Sequence, residues 1–400
     1  MVVVFSIVLI LAGATATWHG ATGQGYRPNP NATLMHRQFG LADSPAADGT
    51  ADALGRGEFV GSLDLGKAFG ENFKERGFPD LPLGGISGIA AIRQQAGRYV
   101  LLSDYRGDKG SARALLAELK FDPKTGAPVE ASVEKPLDLT EKGGNRYPGG
   151  TVDPESIRSL PGGRFAWSSE GAVFSQTPPS IQISGEDGKE LSRIDAPPHH
   201  RPRVLPPRGI EPNQGYEGLA VSNDGRRATT VLESTLMQDG LSASWLSGTR
   251  SRITTFDLGS GRPISEYVYP IDRIPPFSGL HRGISDIVAL PDGSWITVER
   301  TYRPFQDLGV RIFHVSPACA DDVLGRPNLS GNEVAVSKTL LYDFADAPDG
   351  TAAGNVEGLT LGPLRRDGRR MLLAVTDNNF YANKSTQVHA IALPKGLGTR

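Results

Sequence analysis

Five times along this chain a short apolar strand, a glycine-centred turn and a second apolar strand are bracketed by polar residues, mostly carboxylates. The segments run Gly88 to Asp104, Glu155 to Glu170, Glu217 to Glu233, Asp286 to Glu299 and Glu357 to Asp377. The midpoint of each bracket falls at or beside Gly97, Gly162-Gly163, Gly225, Asp292-Gly293 and Asp367-Gly368. A hairpin folded at those glycines sets the bracketing residues opposite each other at its open end. The chain therefore repeats a paired-carboxylate device, and the repeat restricts both fold and chemistry.

The brackets open at steps of 67, 62, 69 and 71 residues. That period is too long for a helical solenoid and suits a four-stranded propeller blade with generous loops. Two further alternating strands follow each of the first four hairpins: 113–122 and 129–139, 180–188 and 190–197, 251–261 and 262–272, 309–317 and 334–344. The fifth hairpin is followed only by 386–394, while 57–66 precedes the first hairpin with no blade of its own. Pairing these two segments closes the ring and removes its open edges. The expected fold is all-β, a propeller of five four-stranded blades closed by an N-terminal strand. Six blades are the alternative, with weak strands hidden in 67–85 and 196–214.

Residues 1–16 form an apolar run ending in Ala14-Thr15-Ala16, shorter than the ~20 residues of a membrane-spanning helix. They are expected to be a signal peptide cleaved after Ala16, making the protein secreted or periplasmic with no membrane span once it is removed. Residues 17–56 lack hydrophobic periodicity and are expected to be a flexible lead-in to a propeller domain over 57–400. Cys319 is the single cysteine, so no intramolecular disulfide supports the exported fold. A formal charge of −2 provides no electrostatic footing for nucleic acid, and the domain is expected to act as a monomer.

In a propeller the first strand of each blade lines the central channel. Glu155, Glu217, Asp286 and Glu357 are therefore expected near the axis at one face, with Asp104, Glu170, Glu233, Glu299 and Asp377 beside them. Such a crowd of carboxylates cannot stay ionised without compensation. Oxygen-only clusters suit Ca²⁺, and Arg106 and Arg300 adjoin the same positions. Carboxylates holding a metal, with arginines opposing phosphate oxygens, make a metal-assisted phosphoester site. Any one acid, taken alone, can instead pin a turn between blades by accepting backbone N–H bonds.

The motifs GGISGIAAI with LLSDYRGD, YPGGTVDPESI with FAWSSEG, NQGYEGLAVSNDGR with LES, HRGISDIVALPDG with VERTY, and NVEGLTLGP with LLAVTDNNF occur in that order. Together they resemble the family named for esterase-like activity of phytase, across about residues 57–394. The resemblance implies an exported hydrolase of phosphomonoesters, phosphodiesters or phytate-like substrates, related to calcium-dependent propeller phytases. Carried onto this chain, it adds Asp153 to the candidate positions. Glu155, Glu217, Asp286, Glu357, Glu170, Asp104 and Asp153 are then expected to bind metal. Glu233, Glu299, Asp377, Arg300 and Arg106 are expected to act on water and phosphate. Ser87-Gly88 departs from the acid that opens the other repeats, and a dense Lys/Arg array for a hexakisphosphate is absent. The other readings are a Ca²⁺-dependent esterase or lactonase and a non-enzymatic ligand-binding propeller stabilised by Ca²⁺.

Overall fold

Alternating apolar strands separated by glycine turns build twenty strands in five four-stranded antiparallel sheets. The computed structural model describes residues 54–76, 83–106, 112–303, 309–381 and 383–399; the expected signal peptide and nearly all of the lead-in lie outside the described residues. Blade one holds β2 (Ile86–Ala91), β3 (Arg98–Ser103), β4 (Ala112–Phe121) and β5 (Pro128–Leu139). Blade two holds β6 (Pro154–Ser159), β7 (Phe165–Ser169), β8 (Ser180–Ser184) and β9 (Glu190–Asp195). Blade three holds β10 (Tyr216–Val221), β11 (Arg227–Leu232), β12 (Thr249–Asp257) and β13 (Arg262–Ile271). Blade four holds β14 (His281–Ala289), β15 (Trp295–Tyr302), β16 (Gly309–Ser316) and β17 (Ser337–Asp343). Blade five combines β18 (Asn355–Leu364), β19 (Arg370–Asp377) and β20 (Gln387–Ala392) with β1 (Glu58–Asp64) from the other end of the chain.

The closing pair runs in register from Glu58 opposite Ala392 to Asp64 opposite Gln387. The six-bladed alternative is thereby corrected. Within 67–85 the described residues form part of a helix, α1 (Leu65–Arg76), and 196–214 contributes only a 3-10 turn at Pro198–His200. Leu65, Phe69 and Phe73 of α1 pack between blades five and one. Five apolar clusters fill the five seams between neighbouring blades, each mixing strands from both sides. No helix among the described residues is long and apolar enough to cross a membrane.

The innermost strands carry one irregularity at the same place in every blade. Register shifts lie between Ile86 and Gly88, Pro154 and Ile157, Tyr216 and Gly218, Ile284 and Asp286, and Val356 and Gly358. A β-bulge bends the strand and re-aims one side chain. Each inner strand thus turns a residue towards the mouth of the channel, the end where the chain enters it.

One step deeper, the inner strands approach one another closely. A Cβ on Gly218 would lie 2.8 Å from Ile287 N, and one on Gly358 would lie 2.8 Å from Ser87 O. Blade four alone has a large residue at this level, the fully buried Asp286. Its carboxylate accepts from Arg158 Nη2 (2.7 Å) and Ser156 Oγ (2.9 Å) in blade two. It also accepts from Leu219 N (3.3 Å) in blade three and Leu359 N (2.7 Å) in blade five. Arg158 in turn donates to Ile89 O (3.2 Å) in blade one. One ion pair on the axis ties all five blades.

Removing one member of a buried pair leaves the other charge uncompensated, at a cost of about 3–5 kcal/mol. Asp286→Ala is therefore expected to lower the urea midpoint by an equivalent amount. A midpoint within about 1 kcal/mol of wild type would refute the axial pin.

Candidate active site

Two residues per blade face the mouth: the one displaced by the bulge and the one ending the inner hairpin. In blades two and three they are Glu155 with Glu170 and Glu217 with Glu233, and in blade five Glu357 with Asp377. Blade one offers Ser87 with Asp104. In blade four Ile284 pairs with Glu299 and Gly283 with Arg300, so the mouth positions are Ser285 and Arg300. Asp286 and Glu299 each sit one residue deeper along their strands. A one-residue slip turns a side chain to the opposite face.

The expectation for these two acids is corrected accordingly. Asp286 is the axial pin, its oxygens occupied by four donors. Glu299 is buried away from the mouth, where Oε1 accepts from Tyr269 OH (2.8 Å) and Lys338 Nζ (2.7 Å). Neither lines the mouth cavity.

That cavity has a volume of about 770 Å³. Asp104, Glu155, Glu217, Glu233, Glu357 and Asp377 line it together with Arg106, Arg300, Arg303 and Lys384. Asp153 and Glu170 stand just behind. Carboxylate oxygens of Asp153, Glu155 and Glu170 lie within 4.8 Å of one another, as do those of Glu170, Glu217 and Glu233. Glu170 belongs to both groups, and its Oε1 also accepts from Gly215 N (3.0 Å). Two buried oxygens, Asp104 Oδ1 and Asp153 Oδ1, have no hydrogen-bond donor among the described residues. Orphaned acceptors within a crowd of acids fit an oxygen-coordinated cation such as Ca²⁺.

The cations are interleaved with these acids. Arg300 Nη1 donates to Glu357 Oε1 (2.5 Å) and Asn355 Oδ1 (2.6 Å), while Nη2 lies 3.4 Å from Glu233 Oε1. His281 Nε2 is 3.3 Å from the same Glu233 oxygen. Arg106 Nη2 contacts Asp153 Oδ2 (2.7 Å) and Asn213 Oδ1 (3.1 Å). Among the sequence-derived residues, Arg106 and Arg300 line the cavity with the acids. Asn213, Asn355, His281 and Lys384 join the site from loops and strand ends that carried no repeat signal. Asn355 lies two residues before Glu357, as Asp153 lies before Glu155, and that offset was the only clue to it.

Burial and mutual repulsion keep these acids from ionising freely. Burial, then Asp377 and Glu357, push Asp104 up to about 8. Burial raises Glu357 to about 7 even against Arg300. Burial, then neighbouring acids, push Glu155, Glu170 and Glu217 well above the usual carboxylate range. Burial acts to lower the pKa of Arg300, but Glu357, Glu233 and Glu217 outweigh it and raise the guanidinium further. The site needs positive charge, and Arg300 supplies part of it.

A sequence model of the family described as Phytase-like, esterase-like activity of phytase, matches residues 81–380. An uncharacterized secreted protein of Arthroderma benhamiae is 25% identical over 151 residues, a match spanning 34% of this chain and 29% of that protein. Among solved structures, a periplasmic gluconolactonase of Pseudomonas aeruginosa is 13% identical, with a TM-score of 0.33 over 78% of this chain and 87% of its own. A hypothetical protein from Leishmania major is 10% identical, with a TM-score of 0.33 over 78% and 92%.

Carboxylates whose folded pKa lies above the unfolded value bind more protons when folded. Their contribution is complete below about pH 4 and is lost as pH rises through the folded values. For Asp104 and Glu357 that loss falls between the unfolded range and about 8. Chelator-treated protein is therefore expected to melt lower at about pH 8 than at about pH 5, and Ca²⁺ to raise the melting temperature more at the higher pH. A melting temperature that climbs with pH under chelation would contradict this electrostatic account.

Proposed function

Because the chain belongs to the phytase-like family, we propose that it is a metal-dependent hydrolase of phosphoesters with Ca²⁺ held by the carboxylates of the propeller mouth. One observation carries the proposal: a single cavity sets two overlapping groups of acids against the guanidinium groups of Arg300 and Arg106. Asp153, Glu155, Glu170 and Glu217 are the proposed ligands, and Asp104, whose charge acts on Glu155, is proposed beside them. When bound, the ion supplies Lewis acidity to a phosphoryl oxygen and lowers the pKa of water.

The remaining chemistry belongs to the protein. Arg300 and Arg106 bind the non-bridging oxygens, since guanidinium groups match phosphate geometry. Glu233, oriented by Arg300 and His281, accepts the proton of the attacking water. Asp377 and Glu357 balance Arg300 and fix where its guanidinium stands. Residues 57–400, acting as a monomer, are the proposed catalytic domain. Export after loss of residues 1–16 belongs to the same reading, which the secreted fungal relative supports.

Purified protein is expected to hydrolyse a chromogenic phosphomonoester or phosphodiester, to lose that activity on chelation and to regain it with Ca²⁺. Turnover untouched by chelator would sink the proposal, and turnover confined to a carboxylic ester would move it to an esterase or lactonase. Glu217→Gln with Glu233→Gln should weaken Ca²⁺ by on the order of ten-fold or more in calorimetric titration, whereas Glu299→Gln should leave the affinity unchanged. Arg300→Leu should lower kcat by about 10²–10³ if it stabilises charge developing on phosphate.

A further inference from the structure

Large apolar side chains are unevenly distributed over the surface of this propeller. Sixteen are exposed among the described residues. Five of them, Val129, Leu191, Ile264, Val334 and Leu364, are scattered away from the mouth. The other eleven all stand on loops or strand ends at the mouth face, the face that opens into the acidic cavity. Phe277 is 106% exposed, Leu205 82%, Leu280 70% and Trp245 59%. Apolar residues gathered on one face mark an interaction surface, whereas scattered ones carry no meaning.

Their arrangement indicates what covers them. They stand at the tips of separate loops rather than along a groove. Val204 and Leu205 occupy a tip closed by the paired backbones of Arg203 and Arg208 (2.9 and 3.1 Å). Trp245 and Leu246 lie on a loop tied to the next by the bond from Ile274 N to Ser244 O (2.9 Å). Phe277 has φ 63°, a region a bulky residue rarely enters, yet its ring meets only solvent. Leu280 N bonds Tyr302 O (2.8 Å), and Tyr302 lines the cavity, so the apolar tips reach the rim of the site.

Charge at the tips is carried by arginine: Arg201, Arg203 and Arg208 flank Val204-Leu205. Among the acids of these loops, Asp239 is paired with Arg252 (2.7 Å), Asp272 with Lys338 (2.9 Å), and Glu211 accepts from Ser242 Oγ (3.0 Å). Arg250 is held by Glu333 (2.9 Å) and Arg282 is buried, so neither adds to the face. Apolar tips flanked by arginine, with Trp and Tyr beside them, are the chemistry of a lipid interface: rings and aliphatic chains enter the headgroup layer while cations meet anionic lipid.

We propose that the mouth face docks on an anionic lipid surface through the tips bearing Val204-Leu205, Trp245-Leu246 and Phe277-Leu280. The proposal stands independently of the reaction catalysed in the cavity. Flotation of the full chain with phosphatidylcholine vesicles, with and without phosphatidylglycerol, tests it. Binding is expected, stronger with phosphatidylglycerol, and in a Trp18→Phe background brominated phosphatidylcholine should quench Trp245; Trp167 and Trp295 are buried. Trp245→Phe should still float while losing that quenching. Phe277→Ser with Leu280→Ser should weaken partitioning by on the order of ten-fold with an unchanged melting temperature, and Val204→Ser with Leu205→Ser should act in the same direction. Absence of flotation with either vesicle, or flotation undiminished in both double variants, would overturn the proposal. So would vesicle-free self-association that those substitutions abolish, since the face would then join protein to protein.

Discussion

The carboxylate of Asp286 holds the five inner strands in one register. Four of those strands carry glycine or serine at this level, Gly88, Ser156, Gly218 and Gly358, and three of the four admit no larger side chain without moving a neighbour's backbone. Only blade four has a residue that fills the axis. A buried ion pair is a poor source of net stability unless its remaining lone pairs and protons are satisfied. Here they are, by donors from blades two, three and five and by the carbonyls that receive Arg158. A fully bonded pair across the axis divides the channel, leaving the mouth cavity on one side and a cavity of about 720 Å³ lined by Arg158 on the other.

Blade four also differs at the mouth. Its strands keep the register of the other blades, but its acids stand one residue inside the mouth positions, Asp286 on the axis and Glu299 beneath Arg300. The mouth position that is Asp104, Glu170, Glu233 or Asp377 in the other blades becomes Arg300. A five-fold architecture thus acquires one cationic side, within 2.5 Å of Glu357. A mouth of uniform acids would bind cations and repel anions; the offset makes a cavity able to attract both.

The same offset explains where reading the sequence succeeded and where it did not. Bracket midpoints located every inner hairpin, because a turn needs glycine and a strand needs alternation, both local properties. Ring closure by β1 was legible because 57–66 and 386–394 were each left without a blade. Blade four misled because Asp286 and Glu299 lie one step inside Ser285 and Arg300 symmetrically, leaving the midpoint unchanged. Side-chain direction, in contrast, depends on the parity of each position and on the bulge. A bulge leaves no composition signal, so Asp286 and Glu299 looked like members of the mouth set. The alternative weighed for single acids, a pin that accepts backbone N–H bonds, is the role Asp286 performs. Asn213 and Lys384 reach the cavity from irregular backbone, where spacing carries no information, and His281 opens β14 ahead of the repeated segment.

Charge in the mouth cavity also imposes an order on binding under the proposed reaction. Six carboxylates and four Arg or Lys side chains line the cavity, with Asp153 and Glu170 adding acidity behind them. Without a cation, an entering phosphate meets acids that already keep one another partly protonated. A bound Ca²⁺ would relieve that repulsion, and the phosphate would add the negative charge that the ion and Arg300 together favour. Linkage makes the effect reciprocal: whatever the ion adds to phosphate affinity, phosphate adds to the affinity of the ion. Arg300 belongs to both equilibria, because it holds Glu357 before the phosphate arrives and opposes the phosphate afterwards. Under that reaction the cation and the anionic substrate would assemble the site together, on a frame whose geometry the buried axial pair has already fixed.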